Sequence, residues 1–299
     1  MKAVVLAQTG GPEQLHVEQV PEPEGSVLDV RAAGINFMDV LIRAGRYPQP
    51  PELPTVLGAE VAGELDGRRV MALTRASGGG YAERVAVDPD WIVPLPDGAS
   101  FAEGASFLMT FLTAWIPLKP LARPGTTVLV HAAAGGVGSA AVQLSAQLGA
   151  RVVGSASSAQ KLEIARALGA DEVRTYDELD EVRADVIVDP VGGDLFERSL
   201  KLLNPLGTLV AIGFAGGAWP KLDPALLVGR NVAVRGLYLG RLLAHRPEVV
   251  RAAIAELVSL WQDGAVRPLV GAELPLEQAA EAHRLIESRA STGKVVLVP

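Results

Sequence analysis

Residues 126–140, "TTVLVHAAAGGVGSA", place an apolar run directly before three glycines in four positions. The run is typical of a buried strand, and the residues from about Gly136 to Leu148 are typical of a helix. A strand that leads through glycines into a helix directs free backbone N–H groups and the positive end of a helix dipole at one point, where a pyrophosphate binds. The stretch therefore predicts a dinucleotide-binding turn; a glycine turn with a purely structural purpose is the alternative.

The glycines also follow a spacing that is known from dinucleotide sites. Against the pattern G-x-G-x-x-G, the three fixed positions are Ala133, Gly135 and Gly138, so that alanine replaces the first glycine. The pattern is informative only between a strand and a helix of a βαβ unit, and that context is present here. The match favours nucleotide binding over the structural alternative.

The rest of the chain divides into two kinds of pattern. From residue 124 onward, uninterrupted apolar strands alternate with helices, which indicates a parallel sheet covered on both faces. Before residue 100, short strands separated by Pro and Gly indicate antiparallel structure. Between them, a capping box of Ser100 and Glu103 predicts a helix that runs until Pro117. The tail after residue 268 predicts strand, helix and strand, which return to the first domain. The expected fold class is α/β, with a doubly wound parallel sheet beside a mainly β domain.

The strand that follows the glycine turn indicates which nucleotide binds. An NAD site needs an acidic residue about 20 positions after the glycines to hold the ribose 2′-hydroxyl. Residues 154–161, "GSASSAQK", contain no acid but do contain hydroxyls and Lys161. These groups suit a 2′-phosphate and favour NADPH as the cofactor. The alternative is that Lys161 is a solvated helix residue.

The composition excludes several classes of protein. The 299 residues are 49% hydrophobic and 20% charged, as expected for about two soluble domains. A net charge of −7 without a basic stripe argues against nucleic acid as a partner. The absence of cysteine excludes disulfides and thiolate chemistry. We see no secretory signal and no apolar run long enough for a membrane helix, and we expect a cytoplasmic protein.

Ordered motifs along the chain resemble one family. They are "AAGINFMDVLIRAGRYP", "LGAEVAGE", "GGYAERVAV", "HAAAGGVGSAAVQLSAQLGA", "DVIVDPVGG" and "STGKVVLVP". The chain resembles the quinone oxidoreductases of the ζ-crystallin type, in the zinc-free branch of the medium-chain dehydrogenase/reductase superfamily. This resemblance implies a GroES-like catalytic domain of residues 1–122 and 267–299, and a Rossmann NADP-binding domain of residues 123–266.

The resemblance also implies which residues contact the cofactor. Three groups are implied: the nicotinamide side and pyrophosphate, the adenosine 2′-phosphate, and the loops near the nicotinamide. They comprise, in that order, Thr113, Gly135, Gly136 and Val137; Ser157, Lys161 and Tyr176; and Phe214, Ala215, Leu237 and Leu239, together with Lys294 of the tail. Core packing is the alternative for Tyr176.

Departures from the zinc-dependent branch predict that no metal is bound. Zinc alcohol dehydrogenases of this superfamily have a cysteine where this chain has Asn36 and a histidine where it has Ala59. They have a proton-relay hydroxyl where it has Met38, and their structural lobe with four cysteines is missing here. None of the histidines has a paired ligand spacing, and we expect surface or capping positions for all four. They are His16, His131, His245 and His283.

Without a metal, hydride transfer suits an acceptor that can delocalise the incoming charge, such as a quinone. Asn36 can donate a hydrogen bond to the oxyanion, and Tyr47 can donate a hydrogen bond or a proton. The structural alternatives are that Asn36 braces a turn and that Tyr47 packs a loop. We expect an NADPH-dependent quinone reductase. The alternatives are an enoyl or alkenal double-bond reductase and a non-catalytic NADPH-binding protein. At Asp66–Gly67 the chain is shorter than is usual for the family, which trims a loop of the catalytic domain. The identity of the acceptor is therefore not determined by the resemblance.

The strand around residue 233 predicts a homodimer. Val232 and Val234 alternate on one face of the expected last strand of the nucleotide domain. An unprotected apolar edge strand is a liability unless it is covered or paired, and the family pairs it across a two-fold axis. The alternative is that the helix from Pro247 covers this strand.

Overall fold

The computed structural model describes residues 1–74, 78–217 and 221–299. Its strands are β1 (Lys2–Leu6), β2 (Leu15–Gln19), β3 (Val27–Gly34), β4 (Thr55–Val56), β5 (Glu60–Leu65), β6 (Arg68–Leu73), β7 (Arg84–Ala86), β8 (Ile92–Pro94), β9 (Thr127–Val130), β10 (Arg151–Ala156), β11 (Glu172–Thr175), β12 (Ala184–Asp189), β13 (Leu203–Ala211), β14 (Ala233–Gly236), β15 (Val270–Pro275) and β16 (Lys294–Val298). Its α-helices are α1 (Phe37–Arg43), α2 (Phe101–Gly104), α3 (Leu108–Leu118), α4 (Gly136–Gln147), α5 (Ala159–Ala167), α6 (Gly193–Leu202), α7 (Pro224–Arg230), α8 (Leu239–His245), α9 (Pro247–Gln262) and α10 (Ala279–Glu287).

The chain forms two compact units. The first contains residues 1–109 and 268–299, and the second contains residues 110–267. The division falls within α3, whereas the sequence places the domain boundary after residue 122, at the end of the same helical region. The domain boundaries stay a prediction.

The first unit is mainly β structure. Strands β15, β16, β3, β5, β6 and β8 form one sheet in that order, and β7 pairs with β3. A smaller sheet has the order β2, β1, β4. Strand β16 runs antiparallel to β3, with Val296 opposite Gly34, so the end of the chain lies in the same sheet as its third strand. This pairing brings Lys294, the first residue of β16, close to the residues that follow β3.

The second unit is a parallel sheet of the Rossmann type. Its order is β11, β10, β9, β12, β13, β14, and every pair of neighbours is parallel. The chain moves outward from β9 to one edge and then continues from β12 to the other, so the order reverses between β9 and β12. In open parallel sheets, ligands bind beyond the carboxyl ends of the strands at such a reversal. The expected fold class, a doubly wound sheet with a GroES-like mainly β domain, is confirmed.

Helical structure differs from the sequence expectation at two places. The helix expected from Ser100 to Pro117 is two helices, α2 and α3, and α3 continues one residue beyond Pro117. The capping box itself is present, because the Ser100 hydroxyl accepts from Glu103 N at 3.1 Å and Ser100 N donates to the Glu103 carboxylate at 2.8 Å. Helix α1 was not expected at all.

Strand β14 lies at the edge of the six-stranded sheet of the second unit. Val232 and Val234 are half-buried and pack against the core cluster of that unit, while Ala233 and Arg235 are exposed. The alternation that the sequence predicts is therefore present. Its apolar face is directed into the core of its own unit.

Candidate active site

The glycine turn of the second unit has the geometry of an anion site. Gly135 is the N-cap of the twelve-residue helix α4. The hydrogen bond from Ser139 N to Gly135 O (2.8 Å) closes the first turn, so the N–H groups of Gly136 and Val137 precede the intrahelical ladder. A Cβ atom at Gly138 would lie 2.0 Å from Ala132 O, which means that only glycine allows this close approach of helix and turn. The turn fits a pyrophosphate.

The residues that are expected at the 2′-phosphate lie at the ends of two neighbouring strands. Ala156 of β10 is the partner of Thr175 of β11, and Ser157 and Tyr176 are the next residues of the two strands. Ser157 is exposed and Lys161 is half-buried in the first turn of α5. Burial lowers the pKa of Lys161 from its usual value. An anion placed here would favour the charged form of this lysine.

Tyr176 also packs in the way that its alternative reading predicts. Its ring lies against the core cluster of the second unit, with its centroid 6.2 Å from the centroid of the His131 ring. The Tyr176 carbonyl oxygen accepts a hydrogen bond from Arg198 at 2.5 Å. Both a packing role and a contact with a ligand are compatible with its partial exposure.

The residues that are expected near the nicotinamide follow the carboxyl ends of β13 and β14, apart from Thr113, which is buried on α3. Phe214 and Leu239 are buried, whereas Ala215 and Leu237 are half-buried. The N–H of Ala215 donates to Pro190 O at 3.1 Å, and the N–H of Leu237 donates to Ala211 O at 3.1 Å. These hydrogen bonds hold both loops at the strand ends, where a Rossmann sheet binds its ligand.

In the first unit, Asn36 lies in a buried polar cluster. Its Nδ2 atom donates to Glu60 Oε1 at 3.1 Å and lies 3.5 Å from Gly34 O, and its Oδ1 atom accepts from Lys294 Nζ at 2.9 Å. Lys294 Nζ also donates to Glu60 Oε1 and to Ile35 O, both at 2.7 Å. The ammonium of Lys294 thus has three acceptors within this unit, which equals its number of donors.

Asp39 holds the backbone of the same segment and was missed from the sequence. It is 1% exposed and accepts hydrogen bonds from Asn36 N at 2.8 Å and Gly58 N at 3.3 Å. Burial raises the pKa of Asp39 to about 6, against the effect of those hydrogen bonds. Tyr81, itself fully buried, adds a hydrogen bond to this carboxylate. The N-x-x-D spacing of a capping box is the signal in the sequence that marks Asp39.

Tyr47 belongs to the turn that follows α1. Its ring is half-buried and packs against the core cluster of the first unit. Gly45, with φ of +69°, makes the turn possible two residues earlier. This packing contact and the partial exposure of the ring are compatible with both of its predicted roles.

Two histidines correct the expectation of surface or capping positions. His131 and His283 are both 0% exposed, whereas His16 and His245 are exposed. His131 has hydroxyl partners on both ring nitrogens, Ser155 at Nδ1 and Ser199 at Nε2, each at 2.7 Å. These partners come from β10 and α6, so the sequence around His131 does not indicate them.

Matches to known protein families and to curated relatives cover both units of the chain. A family model described as "Alcohol dehydrogenase GroES-like domain" matches residues 22–97, and one described as "Zinc-binding dehydrogenase" matches residues 168–297. The quinone oxidoreductase of Pseudomonas aeruginosa is 34% identical over 329 residues, covering 100% of this chain and 99% of that protein. Human synaptic vesicle membrane protein VAT-1 homolog-like is 32% identical over 339 residues, covering 99% of this chain and 80% of that protein.

A solved structure of a relative is similar over its whole length. The quinone oxidoreductase from Thermus thermophilus, determined also as a complex with NADPH, has a TM-score of 0.91 and 42% identity and covers 100% of both chains. A GroES-like unit and a Rossmann unit in one chain define the medium-chain dehydrogenase/reductase superfamily. Within it, this chain belongs to the quinone oxidoreductase family, as its motifs predicted.

Two positions in the described part of the first unit lack the cysteine and histidine ligands of the zinc enzymes, although one matching family model is described as zinc-binding. Asn36 and Ala59 stand at the cysteine and histidine positions of the zinc enzymes, and the carboxylate of Glu60 is already paired with the Lys294 ammonium. No group of three or more metal-ligating residues occurs in the part of the chain that the structure describes. In the same part, no helix combines the length and hydrophobicity of a membrane span.

Proposed function

We propose that this protein is an NADPH-dependent quinone oxidoreductase that transfers hydride without a metal ion. The observation that carries the proposal is the end of β10, where Ser157, Ser158 and Lys161 occur and residues 154–161 contain no carboxylate. Hydroxyls and an ammonium suit the 2′-phosphate of NADPH, which the carboxylate of an NAD site would repel. The NADPH complex of the Thermus relative supports the same cofactor.

The proposed cofactor contacts are divided along the carboxyl ends of the parallel strands. The turn at Gly135 and the N–H groups of Gly136 and Val137 would hold the pyrophosphate. Ser157, Lys161 and Tyr176 would surround the adenosine 2′-phosphate. The nicotinamide end would lie near Thr113, Phe214, Ala215, Leu237 and Leu239. When bound, NADPH supplies a hydride from its nicotinamide ring.

In the proposed mechanism, two residues of the first unit act on the acceptor. Asn36 donates an Nδ2 hydrogen bond to the oxygen on which charge develops, as donors in an oxyanion hole do. Tyr47, whose ring packs against the core cluster of the first unit, donates a second hydrogen bond. A reduced quinone oxygen is a weak base that water can protonate, so this reaction needs no positioned acid.

A second candidate is an enoyl or alkenal double-bond reductase, and the packing of the Tyr47 ring against the core cluster favours it. Reduction of a carbon–carbon double bond requires protonation of a carbon, and a positioned acid then contributes about 10²- to 10⁴-fold. The hydroxyl of Tyr47 is the group on which the two functions differ.

The proposal includes a homodimer and a cytoplasmic location. Strand β14 lies at a sheet edge and presents backbone groups that a second copy can pair with, as the sequence predicts. A cytoplasmic location is consistent with the use of NADPH as the reductant.

Steady-state oxidation of NADPH over a panel of quinones, enals and enoyl thioesters tests the proposal, with wild type and Tyr47→Phe compared throughout. We expect a quinone to give the highest kcat/KM, and the substitution to lower it only about threefold because positioning alone is lost. If an enoyl thioester reacts faster than every quinone and Tyr47→Phe abolishes that reaction, the second candidate is correct.

A further inference from the structure

Lys294 and Glu60 form a buried ion pair next to the proposed catalytic amide. Their side chains are 5% and 1% exposed, and Lys294 Nζ lies 2.7 Å from Glu60 Oε1. The second carboxylate oxygen of Glu60 accepts from Met109 N at 3.0 Å. Every charged atom of the pair therefore has a partner, from segments that are far apart in the chain. A buried ion pair contributes little net stability. Its contact with Asn36 therefore points to a role at the site and not only in the fold.

This pair determines the orientation of the Asn36 amide. The ammonium of Lys294 is a donor only, so the amide atom at 2.9 Å from it must be the oxygen. The Nδ2 group then lies on the opposite side, where one of its hydrogens is directed to Glu60 Oε1 at 3.1 Å. A reversed amide would place its NH₂ group against the ammonium and its oxygen against the carboxylate, which is unfavourable at both contacts.

The second Nδ2 hydrogen of Asn36 has a much weaker partner. Besides Glu60, the acceptor within reach of Nδ2 is Gly34 O at 3.5 Å, at the outer limit of a hydrogen bond. Of the donors in this cluster, this hydrogen therefore loses the least hydrogen-bond energy when it turns to a ligand oxygen. The contact between the ammonium and Oδ1 withdraws charge from the amide, which makes its N–H groups stronger donors.

We propose that Lys294 and Glu60 are positioning residues that orient and polarise the Asn36 amide toward the oxyanion of the substrate. The inference rests on the proposed function, in which Asn36 donates to that oxygen. It gives Lys294 a role other than the cofactor contact that the family resemblance implies, because all three of its ammonium hydrogens are directed at Ile35, Asn36 and Glu60.

A double-mutant cycle tests this inference. The variant Lys294→Met/Glu60→Gln removes both charges together, so that neither is left buried alone. It is made in wild type and in Asn36→Ala, and the rate of hydride transfer from NADPH to 9,10-phenanthrenequinone is measured by stopped flow. The dissociation constant of NADPH, from its fluorescence, and the melting temperature are measured for all four proteins.

We expect the pair variant to lower the hydride-transfer rate about 10-fold in wild type, because the amide loses its orientation. In the Asn36→Ala background it changes the rate by less than about twofold, and NADPH affinity changes by less than about twofold in either background. Equal losses in both backgrounds would overturn the inference in favour of a general structural role. A marked loss of NADPH affinity would overturn it in favour of a cofactor contact.

Two further results separate this inference from the proposed function. If wild type does not oxidise NADPH with any quinone tested, the proposed function is wrong. If wild type oxidises NADPH with a quinone but the cycle shows no coupling, only the inference is wrong. Should the pair variant fail to fold, Lys294→Gln/Glu60→Gln is used in the same cycle, because it also leaves no buried charge and keeps hydrogen-bonding groups around Asn36. We then expect coupling of the same sign with a smaller loss of rate, since the amide loses its polarisation but keeps part of its orientation.

Discussion

The Lys294 Nζ atom lies 2.9 Å from the Asn36 Oδ1 atom, although 258 positions separate the two residues. The contact exists because β16 pairs with β3, which brings the first residue of the last strand to the segment after β3. The end of the chain therefore takes part in the cluster around the proposed catalytic amide. A change in the last strand can affect Asn36 without any contact with a ligand.

Lys161→Ala should weaken NADPH by about 10- to 100-fold and leave NADH nearly unchanged. A charge-assisted contact with a 2′-phosphate contributes roughly 1.5–3 kcal/mol, and NADH lacks that phosphate. Both dissociation constants are measured by titration of nicotinamide fluorescence. The exposed Lys201→Ala is the matched control and should leave both affinities unchanged. Equal weakening of the two cofactors by Lys161→Ala would show that this lysine acts through the fold.

Gly138→Ala should lower both the melting temperature and the affinity for NADPH. Its Cβ would lie 2.0 Å from Ala132 O, so helix α4 must move away from the turn, at a cost of about 1–3 kcal/mol. The control is Gly229→Ala in α7, where no atom lies within 4 Å of the added Cβ. That change should be neutral or stabilise by about 0.5–1 kcal/mol. A Gly138→Ala protein as stable as wild type would contradict the described packing of the turn.

The sequence predicts the fold of the second unit well, for a physical reason. Strands of a parallel sheet are buried on both faces, so segments such as Val128–Val130 and Val186–Val188 are continuous apolar runs. The helices between them end at glycines that are visible in the sequence. Short elements are predicted less well: α1 spans only Phe37–Arg43, and two turns of helix give little periodicity.

Contacts between distant segments explain what the sequence did not predict at the site. Glu60 and Lys294 are 234 positions apart, and no local pattern marks them as an ion pair. The burial of His131 likewise depends on Ser155 and Ser199, which come from other elements. Asn36 was identified because the family resemblance marks its position, not because of any property of the residues around it.

His131 should make the second unit sensitive to acid. The Ser199 hydroxyl donates to Leu195 O at 2.6 Å, so it accepts from His131 Nε2–H. In the neutral ring Nδ1 is then the acceptor of the Ser155 hydroxyl at 2.7 Å, a closer partner for that hydroxyl than Val130 O at 3.4 Å. Burial, with a contribution from Arg198, lowers the pKa of His131 to about 3. Below the unfolded pKa of about 6.5 the unfolded state binds more protons, so the free energy of unfolding decreases as the pH falls from there toward 3.

Thermal unfolding at about pH 7 and about pH 5 measures this effect. His131 alone should account for a loss of about 2 kcal/mol over that range. His131→Gln keeps one donor and one acceptor but does not titrate, so its melting temperature should fall less than that of wild type between the two pH values. The exposed His16→Gln should behave as wild type. Parallel pH dependence in wild type and His131→Gln would show that this histidine does not contribute.

Light scattering at micromolar concentration should give the mass of two chains. The expected contact is the edge strand β14. Leu237 N donates to Ala211 O within the sheet, so the N–H of the preceding residue, Gly236, points away from β13. Gly236→Pro should shift the mass toward one chain because proline removes this outward donor. A proline at Ala225 is unsuitable as a control, because the N–H of Ala225 donates to the side chain of Asp223 at the start of α7. The control is the exposed Lys221→Ala. A wild-type mass of one chain would contradict the homodimer.

Single-turnover oxidation of bound NADPH tests the central claim most directly. The protein is mixed in a stopped-flow instrument with stoichiometric NADPH and then with 9,10-phenanthrenequinone, with crotonyl-CoA, or with buffer, and the loss of nicotinamide absorbance is followed. We expect the quinone to oxidise the bound NADPH in one rapid phase, at least about 10²-fold faster than crotonyl-CoA. Reduction of crotonyl-CoA requires an acid that protonates a carbon, whereas in the proposed mechanism Tyr47 acts only as a hydrogen-bond donor. Oxidation by crotonyl-CoA at a rate equal to or above that with the quinone would contradict it.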